Sequence, residues 1–183
     1  MKLFEESGPG TSAAVARLAV DAARERRIEH LVVATCTGRT VRHLLPWATE
    51  FRLVAVTHAF GFGAPGANEM TADTRVELEA AGCRLVTATH VLSGAERGLS
   101  TRFGGAYPVE IIAHTLRMFG QGVKVGVEIA VMALDAGAIP HGRDVLAIGG
   151  TGEGADTAIV VRPAHANTIL DTRVVEILCA PRP

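Results

Sequence analysis

The segment LVVATCTGRTV at residues 31–41 constrains the fold of this chain more than any other. It begins as a continuous apolar run rich in β-branched residues, which is typical of a strand buried on both faces. Small hydroxyl residues, a glycine and an arginine follow, and helical spacing begins at Val41 and Leu44. A strand that runs directly into a turn and a helix predicts an α/β sheet that binds a ligand at its carboxyl edge.

The same alternation of helix and strand continues through the first half of the chain. A first helix is expected after Thr11 or Ser12, because either hydroxyl can cap it. Strands are expected at residues 30–35, 51–57 and 84–89, with helices at residues 38–47 and 71–81 between them. Strands separated by helices imply right-handed crossovers and a parallel sheet covered on both faces.

The second half of the chain does not continue this regular alternation of strands and helices. Residues 93–107 are expected to form a long loop, and helices are expected from Pro108 to residue 119 and over residues 123–136. Strands are expected at residues 144–148 and 158–161, and a last one at residues 174–179 on the sheet edge. No linker or repeat divides the chain. We therefore expect residues 1–183 to form one three-layer α/β/α domain with a mostly parallel sheet of about five strands.

Composition excludes several classes of function. Apolar residues make up 48% of the chain and charged residues 20%, as in ordinary globular proteins. A net charge of −1 gives no electrostatic reason to expect a nucleic acid or an anionic membrane as partner. The three cysteines form no CxxC pair, and the amino terminus does not resemble a signal peptide. We expect a cytoplasmic protein with no membrane segment.

The turn at residues 35–40, called the threonine turn below, is the first candidate binding site. A phosphate needs several hydrogen-bond donors, a small residue that lets the backbone approach, and a cation. The turn supplies all three through Thr35, Thr37, Gly38, Arg39 and Thr40. The spacing of a P-loop is absent. The alternative is an ordinary strand-to-helix turn with a capping threonine and a solvated arginine.

The segment at residues 149–156, called the glycine loop below, is the second candidate. Its glycines leave the backbone free to wrap closely around a ligand, here through Gly150, Thr151 and Gly152. Glu153 and Asp156 are able to accept hydrogen bonds from a sugar hydroxyl or a base edge. Because the loop connects two predicted strands, the Rossmann fingerprint does not apply. The alternative is a flexible hairpin with surface acids.

Aromatic residues are scarce, and four of them flank glycines in predicted loops near the carboxyl edge of the sheet. Phe60 and Phe62 enclose Gly61, and Phe103 and Tyr107 enclose Gly104 and Gly105. Such side chains suit the flat face of a ring system or a partner surface. The alternative is that they pack beneath their own loops.

The first three strands end in a threonine followed closely by a cysteine or a histidine. Thr35 precedes Cys36, Thr57 precedes His58, and Thr89 precedes His90. Cysteine and histidine are common zinc ligands, and a cysteine beside a histidine is one form of activated nucleophile. None of these residues has the short spacing of a metal motif, so the sequence predicts no metal site. No residue is identified as catalytic.

These motifs together resemble the carboxyl-terminal α/β domain of pyruvate kinase. In pyruvate kinases that domain carries a serine/threonine-rich loop with glycine and arginine, which holds the phosphates of an allosteric sugar bisphosphate. The threonine turn matches that loop, and residues 149–152 match a later glycine-rich loop. The catalytic barrel of pyruvate kinase has no counterpart here, so the resemblance implies no kinase activity.

The whole chain also resembles stand-alone pyruvate kinase α/β-domain-like proteins of archaea and bacteria, chiefly over residues 103–112 and 121–137. Flavin mononucleotide (FMN) is the ligand associated with those proteins, so the resemblance implies a phosphate at the threonine turn and a flavin ring against the aromatic loops. Two interpretations stay open: a flavoprotein, or a regulatory homo-oligomer that senses a phosphorylated metabolite without catalysis. Residues 123–136 are apolar on more than one face, which fits an oligomer interface or a buried helix.

Overall fold

The apolar run at the start of residues 31–41 forms the centre of the sheet. In the computed structural model, which describes residues 1–182, β2 (His30–Ala34) pairs in parallel with β3 (Arg52–Thr57) and with β5 (Val145–Gly149). Leu31, Val32 and Val33 are completely buried, as a strand with neighbours on both sides and helices on both faces requires.

The sheet has seven strands in the order β1-β7-β6-β5-β2-β3-β4. The remaining strands are β1 (Lys2–Phe4), β4 (Arg84–Thr87), β6 (Thr157–Arg162) and β7 (Arg173–Pro181). Only β6 runs antiparallel to its neighbours among the described strands. The prediction of a mostly parallel α/β sheet is confirmed, with two more strands than expected.

The position of the last strand was predicted incorrectly. β7 lies inside the sheet, because the three residues of β1 pair with it and form the edge. Residues 173–176 at the start of β7 are exposed, and β1 is mostly exposed as well. Hydrophobic patterns detect burial rather than pairing, so neither the short edge strand nor the full length of β7 left a clear signal.

Helices cover both faces of the sheet, which confirms the three-layer prediction. One core forms beneath α1 (Ser12–Arg26), α2 (Arg39–Arg42) and α3 (Ala72–Ala80), and the other forms beneath α6 (Gln121–Asp135). The remaining helices are α4 (Gly94–Phe103) and α5 (Pro108–Arg117). Short 3₁₀ turns lie at Pro9–Thr11, Leu45–Trp47 and Ala166–Asp171.

Two helix predictions were wrong. The helix expected at residues 38–47 is a single α-turn, α2, followed by the 3₁₀ turn at Leu45–Trp47, whose Pro46 cannot donate a backbone hydrogen bond. The loop expected at residues 93–107 contains the ten-residue helix α4. No residue of α4 is buried, so the sequence there carries no apolar stripe that would indicate a helix.

The apolar helix α6 is covered by this chain itself. Nearly every residue from Gly122 to Leu134 is buried, and α6 packs against β5, β6, β2 and α5. The buried-helix alternative therefore explains its composition, and the homo-oligomer stays a prediction. No helix within residues 1–182 is long and apolar enough to cross a membrane.

Candidate functional site

A cleft opens at the carboxyl ends of β2, β3 and β5, between the threonine turn and the glycine loop. Its larger cavity, about 510 Å³, is lined by both loops and by His58 and Glu69. A smaller cavity of about 290 Å³ continues from it beneath Phe62 and His90. The two cavities share the residues Ala34, Cys36, His58, Gln121 and Val125.

Thr35 brings to the cleft a buried hydroxyl group that has no hydrogen-bond partner among residues 1–182. It follows β2, its backbone N–H donates to the Val56 carbonyl at 2.9 Å, and the residue is 3% exposed. Its hydroxyl Oγ1 is buried and has no hydrogen-bond partner within the described chain. A buried hydroxyl without a partner costs about 1–3 kcal/mol, so a ligand oxygen at this point would relieve a real penalty.

The helix that follows the turn is too short to contribute a substantial helix dipole. α2 is only four residues long, and Gly38 before it makes no side-chain cap. A macrodipole sums over aligned peptides, so one turn contributes little. The side chains of the turn supply donors for an anion, and Arg39 Nε already donates to Thr37 Oγ1 at 3.3 Å.

Arg39 also connects the two loops. Its guanidinium lies 2.8 Å from Glu153 Oε1 in the glycine loop, and both side chains are about two-thirds exposed. An exposed pair of this kind contributes about 0–1 kcal/mol, so it can open at little cost. Arg39 is thus able to turn to a ligand anion, and Glu153 opposes that anion with its own charge.

The glycine loop is held from several sides. Asp156 is completely buried, and it accepts hydrogen bonds from the Thr151 N–H at 2.9 Å and from the Thr157 hydroxyl at 2.7 Å. Ser12 Oγ accepts from the Ala155 N–H, and Thr11 Oγ1 donates to the Ala155 carbonyl. The hydroxyls expected to cap α1 make no cap bond; they hold the glycine loop instead.

The smaller cavity has an aromatic wall and a buried ion pair. The Phe62 ring lies 4.1 Å from the His58 ring and 5.0 Å from the His90 ring, and burial is the main cause that lowers the pKa of His90. The Lys124–Glu128 ion pair is buried, with 2.5 Å between Nζ and Oε2. Glu128 Oε1 also accepts a hydrogen bond from the Leu92 N–H at 3.1 Å, which holds the carboxylate in place.

Cys36 and His58 meet a third residue, Glu69, in the larger cavity. Their ligand atoms all lie within 4.8 Å of one another, and His58 Nδ1 is 2.6 Å from Glu69 Oε2. Burial, reinforced by Glu69, raises the pKa of Cys36 to about 11. A thiol with so high a pKa stays protonated near neutral pH, which disfavours Cys36 as a nucleophile.

The structure brings together more than half of the residues predicted for the site. The cavity linings include Thr35, Cys36, Thr37, Arg39, Thr40, Thr57, His58, Phe62, Gly150 and Gly152. Outside both linings lie Gly38, Phe60, Gly61, Gly104, Gly105, Tyr107 and Thr151. Phe60 is 65% exposed, and Phe103 ends α4 rather than lying in a loop.

The sequence did not indicate several other residues that line the two cavities. They include His43, Glu69, Gln121, Val125 and Arg117. His43 follows the threonine turn by three residues, whereas the other four come from segments far from it. Each looks in sequence like an ordinary polar or apolar residue. The sequence offered a signal only for Gln121 and Val125. The helix α6 leads into β5, so its first turns had to lie near the carboxyl edge of the sheet.

The fold and the cleft define an open α/β protein whose candidate ligand site lies at the carboxyl edge of a mostly parallel sheet. Residues 13–161 match the family described as pyruvate kinase, alpha/beta domain. The chain belongs to that family.

Solved structures similar to this chain include pyruvate kinases of Cryptosporidium parvum. The one in complex with ADP is 17% identical, with a TM-score of 0.45, and the match covers 83% of this chain and 23% of that one. A second is 14% identical, with a TM-score of 0.42, and the match covers 82% and 22%. The chain therefore spans less than a quarter of the length of these kinases, and its described residues form the α/β sheet without a barrel.

Proposed function

We propose that this chain binds a phosphate-bearing small molecule in the cleft, with the phosphate at the threonine turn. The observation that carries the proposal is the buried, unpartnered hydroxyl of Thr35 in the lining of the larger cavity. A phosphate oxygen would accept a hydrogen bond from this hydroxyl and remove the cost of the missing bond. Arg39 supplies the cation, and Thr37 and Thr40 supply further hydroxyl donors.

FMN is the ligand that we propose to test first. The two adjoining cavities fall in the size range of small-molecule sites. The rings of Phe62, His58 and His90 give the smaller cavity flat surfaces, which suit an isoalloxazine ring next to a phosphate at the turn. When bound, FMN supplies hydride and electron transfer, and the contribution of this chain is to bind and orient it.

The test compares FMN with riboflavin, which has the same ring system and no phosphate. The purified protein is examined for flavin absorbance, stripped of any flavin, and titrated with both compounds. FMN is expected to bind at least ~30-fold more tightly, because charge-assisted hydrogen bonds to the phosphate contribute about 1.5–3 kcal/mol each. Arg39→Ala should weaken FMN binding by ~10-fold or more and leave riboflavin binding unchanged.

Arg42→Ala is the matched control for Arg39→Ala. Arg42 lies in the same short helix, pairs with Glu77 at 2.6 Å, and lies outside the cavity lining. Its removal changes the net charge equally and should leave FMN affinity intact. Equal affinities for FMN and riboflavin would refute the phosphate site. Binding of a sugar phosphate but not of FMN, with a change in assembly, would favour the sensor interpretation.

A further inference from the structure

We propose that Cys36, His58 and Glu69 form a binding site for a divalent metal ion of the zinc type. Cys36 follows β2, His58 follows β3, and Glu69 comes from the loop that leads to α3. The fold brings these three residues to one point of the larger cavity, with their ligand atoms within 4.8 Å of one another. This proposal does not rest on the phosphate site.

The donor set selects the class of metal. A thiolate, an imidazole and a carboxylate are the three ligand types that Zn²⁺ uses, and catalytic zinc sites combine three protein ligands with one open position. Mg²⁺ and Ca²⁺ prefer oxygen ligands alone, so a cysteine at the centre of the cluster disfavours them. The chemistry therefore points to zinc or a similar borderline-soft ion.

The geometry needs only small shifts to accept such an ion: separations of up to 4.8 Å between ligand atoms must contract, and the 2.6 Å between His58 Nδ1 and Glu69 Oε2 must widen. Bonds of about 2.0–2.3 Å around a tetrahedral zinc hold the ligand atoms roughly 3.3–3.8 Å apart. His58 Nδ1 lies 2.6 Å from Glu69 Oε2, and the ion would lie between these two atoms while the imidazole stays neutral with its proton on the other ring nitrogen. Only the Cys36 thiol proton leaves to solvent, so charge and mass balance without a further reactant.

Neighbouring rings limit how the His58 ligand can turn. Its ring lies 4.1 Å from Phe62 and 5.2 Å, edge to face, from His90. A ring held by packing loses little freedom when it binds a metal, which favours affinity. The fourth position of a bound ion would open on the cavity that all three residues line, where a water or a ligand oxygen can complete the tetrahedron.

Cobalt titration of the metal-stripped protein, without any phosphate ligand present, tests the site. Co²⁺ replaces Zn²⁺ in such sites and reports its ligands by absorbance. We expect one equivalent to bind, with a sulfur-to-cobalt charge-transfer band in the near ultraviolet and the strong visible bands of four-coordinate cobalt. Zn²⁺ should displace it. Cys36→Ser should abolish the charge-transfer band and weaken binding ~100-fold, and Glu69→Gln should weaken it at least ~10-fold.

Matched variants separate this site from general charge effects. His43→Gln and Glu153→Gln change the same cavity outside the proposed ligand set, and both should keep the cobalt spectrum and affinity. Circular dichroism confirms that each variant is folded. A spectrum without the charge-transfer band, or a Cys36→Ser protein that binds Co²⁺ as tightly as the parent, would overturn the proposal. FMN is titrated separately into the metal-free protein, so failure of either proposal is visible on its own.

Discussion

The two loops that face each other across the cleft treat their polar groups in opposite ways. The threonine turn leaves the buried hydroxyl of Thr35 without a partner, and Arg39 is held only by exposed contacts. The glycine loop has partners for its buried polar groups, through Asp156 and through the hydroxyls of Thr11 and Ser12. An unpaired buried donor points to a ligand, whereas a closed network points to a scaffold. We therefore propose that the turn recognises the ligand and that the loop supports it.

The glycines of the loop serve close packing. Gly154 has φ +80°, and a Cβ added there would collide with the backbone of Pro9, so the loop rests directly on the segment before α1. Gly152 has a similar φ of +71° but faces open space. Both positions thus require glycine for their backbone conformation, and only Gly154 also requires it for close packing.

Asp156→Ala should have the largest effect on the scaffold. It removes both acceptor bonds of a completely buried carboxylate and leaves the Thr151 N–H and the Thr157 hydroxyl without partners. Each orphaned donor costs about 1–3 kcal/mol, so we expect a loss of about 2–4 kcal/mol in the free energy of unfolding. Urea denaturation measures it. A loss below about 1 kcal/mol would show that the glycine loop is not held by this network.

Gly154→Ala and Gly152→Ala separate packing from backbone conformation. Both substitutions place an alanine in the left-handed region, which costs about 1 kcal/mol. Only Gly154→Ala also forces its methyl group into Pro9 and Ser12, so we expect it to cost about 1–2 kcal/mol more than Gly152→Ala. The pair is compared by thermal and urea unfolding. Equal losses for the two variants would mean that the loop can lift from Pro9 freely.

The sequence was sufficient to predict the class of fold and the residues of the threonine turn. It was not sufficient to predict the contacts that hold the glycine loop. Alternating strands and helices predicted the parallel sheet, and the hydroxyl-rich turn after β2 was found because its residues are contiguous. The bonds of Ser12 to residue 155, and the meeting of Glu69 with Cys36, join segments far apart in sequence. Such contacts depend on how helices pack on the sheet, and one sequence contains no local pattern for them.

Thr35→Val should affect binding and not folding, in contrast to Asp156→Ala. Valine matches the shape of threonine and removes a hydroxyl that has no partner, so stability should change by less than ~0.5 kcal/mol or rise. Loss of a hydrogen bond to a charged phosphate should weaken FMN binding by ~10-fold. Unfolding and FMN titration of the same sample check both halves. If Thr35→Val destabilises the fold and leaves FMN affinity unchanged, the threonine turn has a structural role like that of the glycine loop and does not bind the phosphate.

Glu153→Gln acts on the ion pair that joins the two loops, and it should have the smallest effect. Without the carboxylate, Arg39 is released and the negative charge that opposes a phosphate is removed. Because exposed pairs contribute only about 0–1 kcal/mol, we expect FMN affinity to rise by ~2–5-fold and stability to change little. The gain should shrink as salt is raised, since exposed charges are screened within about 10 Å at 0.1 M. It should also become smaller when Arg39 is alanine, because only the loss of direct repulsion then remains, and an undiminished gain in Arg39→Ala would mean that the ion pair has no effect on binding.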